Sequence, residues 1–402
     1  MGRSLGRRAL VAAGSVALVV TGVLVVPHLA GAQAEPDAGT TPAHDHVATA
    51  HLDEMRTVAR AEGLEPASDQ GMCAGAPYQF RTRRGLRCAT APMLEHMFTP
   101  QQLAEATTAP AVASADAAVS SADKVSCLGD GTDGKRFQLV YARRSGDTDR
   151  YAATAPKVQG WAATIDQTLQ ASAAKTGGNR QARWVTDPSC NPTVLNITVG
   201  STVTTFAQLV DALEAKSLTS RTRKYLVAWD DSDGTEPFCG LGQYMPDATA
   251  GPTNANETQP IGGLFAAVQP QCWTSAVAAH ELMHTLGAVQ AGAPHATRYG
   301  HCTDESDLLC YVDGAGTVTT QVCPASQESL YDCNNDDYFS TRPPSGSYLA
   351  KNWNTATSGW LDPNPPPKPA YSPFTAWSAF VDRQHLDVVG RRPTASESST
   401  WV

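Results

Sequence analysis

Thr274-Ser275-Ala276-Val277-Ala278-Ala279-His280-Glu281-Leu282-Met283-His284-Thr285-Leu286-Gly287 is the most informative stretch of this chain. Thr274 is a suitable N-cap for a helix over Ser275 to Leu286, and Gly287 is a stop signal. Ala276, Val277, Ala279, Leu282, Met283 and Leu286 leave the helix mostly apolar, so it belongs in a core. His280 and His284 stand four residues apart, which puts both imidazoles on one face, one turn from each other. Two buried imidazoles and a buried carboxylate need partners, and a metal ion supplies them. Chance predicts about 0.01 occurrences of His-Glu-x-x-His in a chain of this composition. The competing reading, an amphipathic helix with two surface histidines, fits the apolar flanks poorly.

Imidazole nitrogen suits Zn2+, and three protein ligands leave a fourth position for water. Zinc lowers the pKa of that water and polarises a carbonyl. Glu281 follows the first histidine directly and is placed to act as general base.

His280, Glu281, His284 and Gly287 resemble the signature of the metzincin zinc peptidases, His-Glu-x-x-His-x-x-Gly-x-x-His. The third-ligand position holds Gln290, a poor zinc ligand beside imidazole. Ala293-Pro294-His295 comes five residues later, so His295 is the expected third ligand, displaced by an insertion. His301 and Asp304 follow as candidates, and Gln290 ranks last. Asp307-Leu-Leu-Cys-Tyr311 resembles the methionine turn of that clan, with Leu309 at the methionine position. Tyr311 matches a tyrosine that some members place near the metal, where it would support an oxyanion; a core aromatic is the equal alternative. The resemblance implies substrate backbone adding to the strand before the zinc helix, for which Gly263 to Gln269 is the candidate.

Strand and helix signals alternate around this helix. Strands are expected at Phe137–Arg143, Arg183–Thr186, Lys224–Trp229 and Gly263–Gln269; helices at 51–62, 93–106, 150–174 and Phe206–Leu218. The fold class is therefore α/β (α+β). The resemblance specifies a metzincin-like catalytic domain, with a mixed twisted sheet and a zinc-binding active-site helix, braced by disulfides.

The first residues set the compartment. Arg3, Arg7 and Arg8 precede the uncharged run Ala9–Val26 and the small-residue site Ala32-Gln33-Ala34, so 1–34 reads as a cleaved export signal. The protein is expected to be secreted and extracellular, without stable membrane association after cleavage. Its ten cysteines then read as disulfides, and none forms a Cys-x-x-Cys pair. Proximity suggests Cys73–Cys88, Cys302–Cys310 and Cys323–Cys333.

The whole chain of 402 residues has 30 Lys+Arg against 39 Asp+Glu, a charge of −9. Without the three signal arginines this becomes −12. Neither value suits a nucleic-acid binder or a polybasic membrane-surface protein. Residues 35–123 form an N-terminal region, a candidate pro-region ending in the Ala/Ser/Thr-rich linker 104–123. The zinc metallopeptidase domain is expected over 124–348, and a Pro-rich linker over 349–370. A short C-terminal helical segment, 371–402, resembles the opening of a helical domain of unknown function in bacterial secreted proteins.

Asp230–Gly234 and Asp332–Asp337 are candidates for Ca2+, although both also read as ordinary turns. Asn196-Ile-Thr198 and Asn256-Glu-Thr258 are glycosylation sequons in a eukaryotic host. The expected activity is that of a secreted zinc-dependent endopeptidase acting on peptide or protein substrates. A catalytically silent binding protein on the same scaffold and a zinc hydrolase of a non-peptide substrate are the alternatives.

Overall fold

Alternation of buried side chains to opposite faces organises the molecule, as a computed structural model describes it over residues 44–94, 125–231, 238–314, 317–365 and 393–394. The expected export signal 1–34, the expected linker 104–123 and most of the expected C-terminal segment 371–402 lie outside the described residues.

A six-stranded sheet is built from β4 (Met93–Leu94), β5 (Arg136–Arg144), β7 (Val194–Val199), β8 (Arg223–Asp230), β9 (Phe238–Gly242) and β10 (Leu264–Val268). Their order is β4-β9-β10-β8-β5-β7. The run β10, β8, β5, β7 is parallel, while β9 and β4 are antiparallel to their neighbours. Smaller sheets comprise β1 (Glu65–Pro66), β2 (Tyr78–Thr82) and β3 (Gly85–Ala89); β6 (Gln181–Ala182) with β13 (Leu361–Asp362); and β11 (Asp304–Glu305) with β12 (Thr320–Gln321). The architecture is mixed α/β.

Helices cover both faces of the large sheet, as a mostly parallel sheet requires. Leu139, Tyr141, Leu226, Ala228, Ala266 and Val268 share one apolar cluster with α2 (Tyr151–Lys175) and α5 (Ser275–Thr285), the short helix α4 (Ala255–Thr258) preceding α5 in the chain. Val140, Ala142, Val227, Trp229, Phe265 and Ala267 share the other with α1 (His44–Ala61) and α3 (Phe206–Ala215). The expected strands at 137–143, 224–229 and 263–269 and helices at 150–174 and 206–218 recur within a few residues. Arg183–Thr186 makes only isolated bridges, to Phe137 from Trp184 and to Pro192 from Thr186; the regular strand there is Gln181–Ala182.

Two short strands depart from expectation. Met93–Leu94, expected as the start of a helix, is strand β4, and the remainder of that helix lies outside the described residues. Phe238-Cys-Gly-Leu-Gly242 carries two glycines in five residues, a weak strand signal, yet it forms β9. The segment 44–94 packs on the same sheet as the residues from 125 onward, with Met55, Val58 and Phe80 in one cluster with Val140 and Val227.

Gly263–Gln269 was expected to offer an edge to substrate. Its strand, β10, has none to offer, because β8 occupies one side and β9 the other. Beyond β9 on that side lies β4, which pairs with it and forms the edge of the sheet.

Five disulfides brace the chain: Cys73–Cys88, Cys127–Cys190, Cys239–Cys272, Cys302–Cys310 and Cys323–Cys333. The three pairs suggested by proximity are among them. Among the described residues no helix is long and apolar enough to cross a membrane. Asn256 is fully buried and bonds Met245 through both its amide atoms, so that sequon is inaccessible in the fold, whereas Asn196 is exposed.

Candidate metal centre

Helix α5 is fixed at both ends. The Thr274 hydroxyl accepts from the Val277 amide at 3.2 Å, capping the N-terminus. At the other end Trp353 Nε1 donates to Leu286 O at 2.7 Å, and the buried Lys224 ammonium donates to Thr285 O. A cation at a helix C-terminus also meets the negative end of the helix dipole. Gly287 turns the chain with φ +93°; a Cβ there would lie 2.5 Å from the Asn256 carboxamide.

The two helix imidazoles meet with Nε2 atoms 2.9 Å apart. Each ring is oriented from behind: His280 Nδ1 lies 2.8 Å from Leu308 O, and His284 Nδ1 lies 2.7 Å from Ala288 O. A carbonyl can only accept, so both Nδ1 atoms carry the proton and both Nε2 atoms present lone pairs.

His301 brings the third imidazole. Its ring centroid is 5.3 Å from that of His280 and 5.1 Å from that of His284. Ligand nitrogens of the three residues lie within 4.8 Å of one another, all fully buried. His301 Nδ1 is 2.9 Å from Asp313 Oδ2, and its Nε2 is buried without a hydrogen-bond partner. These three residues form a group that can hold a metal ion.

His295, expected as the third ligand, lies elsewhere. Its Nδ1 faces Asp337 at 3.1 Å and Asp304 at 3.3 Å, in a separate group with Asp336. Gln290 points into structure: its Nε2 donates to Met245 O and Gly287 O. The imidazole that joins His280 and His284 is that of His301, six residues beyond His295. The chain returns to the helix only after a loop whose Val289 amide bonds Gly300 O and whose Thr297 amide bonds His301 O.

Glu281 sits beside the triad against β9. A Cβ at Gly240 would lie 2.5 Å from Glu281 Oε1, and one at Gly242 would lie 3.1 Å from Oε2. The two glycines that obscured β9 in the sequence make room for this carboxylate. Both its oxygens are buried without a hydrogen-bond partner. Burial pushes the Glu281 carboxyl well above its ordinary range, and lowers His284 to about 3. His280 is lowered well below an ordinary imidazole, by burial first and then by His284 and His301.

Tyr311 places its hydroxyl 2.8 Å from His280 Nε2, with ring centroids of Tyr311 and His301 4.5 Å apart. Burial, and after it the charge of Glu281, raises that phenol well above its usual range. Leu309 is fully buried in the cluster that holds α5. Sequence reading missed Asp313, which carries no motif, and gave no role to Gly240 and Gly242.

Across the outer side of β9 runs the segment 88–94. The Thr90 amide donates to Gly242 O at 3.0 Å and the Ala91 amide to Tyr299 O at 3.1 Å. Met93 registers with Gly240. The segment thus spans from β9, beside Glu281, to the loop that carries His301.

Of the acidic candidates, Asp230 accepts from Tyr141 and Arg150, and the rest of its cluster beyond Asp231 lies outside the described residues. Asp332 accepts from the amides of Asp336, Tyr338 and Phe339 and shapes its own loop.

No known family model and no curated protein matches the sequence. Solved structures that match include metalloproteinase-II from Bacteroides fragilis, at 13% identity and TM-score 0.21, covering 49% of this chain and 54% of that one. A chaperone–substrate complex matches at 13% identity and TM-score 0.21, covering 48% of this chain and 32% of that one. The chain thus spans about half of the first and about a third of the second. Superpositions this loose do not establish a shared fold.

Proposed function

We propose that the protein is a secreted zinc-dependent endopeptidase. The observation that carries the reading is the convergence of three imidazoles, each oriented through Nδ1 by an oxygen acceptor, beside a buried carboxylate without a hydrogen-bond partner. Three neutral nitrogen donors suit zinc. His280, His284 and His301 would hold the ion, and His295 would not. When bound there, zinc supplies an acidified water and a polarised scissile carbonyl.

The chain's own groups do the rest. Glu281 takes a proton at its carboxylate from the attacking water and delivers it to the departing amine. Tyr311 holds a hydroxyl proton next to His280, where it can donate to an oxyanion. The Gly240 and Gly242 backbone keeps Glu281 close and unsolvated.

An extended peptide would reach the centre along β9, in place of residues 88–94. That supports reading the N-terminal region as a pro-region that must withdraw before substrate enters. Five disulfides and the lack of a membrane-spanning helix among the described residues accord with the export expected from residues 1–34.

The test is a peptide-library digest with wild type and Glu281→Ala, each assayed for zinc. The expected result is cleavage by wild type after limited proteolysis between 94 and 125, and none by Glu281→Ala with zinc retained. Zinc-loaded, processed protein that cleaves no peptide would favour the silent binding protein instead.

A further inference from the structure

A second cluster of ligand-type side chains lies apart from the imidazole triad and shares no residue with it. His295, Asp304, Asp336 and Asp337 each offer one ligand atom, all within 4.8 Å of one another. His295 Nδ1 is 3.1 Å from Asp337 Oδ2, 3.3 Å from Asp304 Oδ2 and 3.9 Å from Asp336 Oδ1. Asp304 and Asp337 keep only 5% and 2% of their side-chain surface exposed, so bulk water does not screen them. Asp336 Oδ1 is buried and accepts no hydrogen bond.

Three carboxylates so close repel one another, and one imidazolium balances only one of them. Burial, then the neighbouring Asp336 and Asp304 charges, pushes Asp337 up to about 6. A divalent ion removes this conflict by taking the carboxylate oxygens and the imidazole nitrogen as ligands.

We propose that His295, Asp304, Asp336 and Asp337 form a second cation site. Three carboxylate oxygens and one nitrogen select a hard to borderline divalent ion, of the Ca2+ or Mn2+ kind, over a thiophilic one. The site ties together three segments: the turn at His295, β11 at Asp304 and the loop of Asp336 and Asp337. His295 and Asp304 bracket His301 in the sequence, so the ion clamps the loop that delivers the third imidazole. The proposal stands independently of the peptidase reading.

The experiment uses the full secreted chain with its disulfides intact. Protein stripped with chelator is titrated with Ca2+ alone, Mn2+ alone and Zn2+ alone, following heat of binding, bound metal and Tm. Wild type should take up one equivalent of Ca2+ or Mn2+ and gain several degrees in Tm, before and after one equivalent of Zn2+ is added. Asp336→Asn, at a position 38% exposed and tolerant of an amide, should bind that ion at least about tenfold more weakly while keeping the zinc equivalent. His284→Ala should show the reverse. Wild type that binds neither Ca2+ nor Mn2+ overturns the proposal, as does unchanged binding in both Asp336→Asn and Asp304→Asn.

Discussion

His301 Nδ1 lies 2.9 Å from Asp313 Oδ2, and both side chains are fully buried. Asp313 also accepts from the hydroxyls of Thr297 and Thr317. The carboxylate thereby fixes the third imidazole as firmly as the carbonyls of Leu308 and Ala288 fix the other two. Asp313→Asn should weaken zinc binding by about 10- to 100-fold while leaving the other two rings in place. Competition with a chromogenic chelator measures this directly, and equal affinities in mutant and wild type would refute the role.

Gly240 is required by Glu281. A methyl group at Gly240 would meet the Glu281 carboxylate at 2.5 Å, so Gly240→Ala must displace it. Under the proposed function, a shift of about 1 Å in the base lowers kcat on the order of 100-fold. Zinc content should not change, because none of the three imidazoles is displaced. A Gly240→Ala enzyme with wild-type kcat would show that Glu281 is not the base.

The Cys302–Cys310 disulfide closes a short loop whose neighbours are His301 on one side and Tyr311 on the other. Cys302→Ala with Cys310→Ala should cost about 2–3 kcal/mol on loop-closure grounds, read by urea unfolding. The same double variant should lose zinc affinity more than Cys73→Ala with Cys88→Ala, since that pair lies outside the triad's loop. Equal zinc affinity in the two double variants would detach the disulfide from the site.

Buried carboxylates give stability a pH dependence. Burial is the main cause that lifts Asp307 to about 7 and Asp332 to about 8. In the unfolded chain both titrate near the usual value of about 4. Between those limits the folded state holds more protons than the unfolded state, so their contribution is full below about pH 4 and is lost as pH rises through 7 to 8. Metal-free protein should lose stability steadily as the pH is raised from 5 to 8 and level off beyond, with a shallower slope in Asp307→Asn. Parallel slopes in urea titrations would remove Asp307 from the account.

Legibility differed by element for physical reasons. Helix α5 could be read to its caps because Thr274, Gly287 and the i, i+4 imidazoles are local signals. Strands β5, β8 and β10 were legible as apolar runs, since a strand buried on both faces needs no other pattern. β9 was not, because its glycines answer to the Glu281 side chain forty residues away. Nor could β4 be foreseen: two residues acquire strand geometry only by pairing with that same β9.

The sequence by itself determined the pair His280 and His284 with Glu281 between them, because one helical turn sets their relation. It also determined the α/β alternation and the local disulfides, which depend on short-range spacing. Only the tertiary structure decided the third imidazole. The sequence favours His295 over His301, and the path of a loop reverses that order, turning His301 toward Asp313 and the helix and His295 toward Asp304 and Asp337. The same folding closed both sides of β10 and laid residues 88–94 on β9. These outcomes rest on contacts between residues far apart in the chain, and no local pattern encodes them.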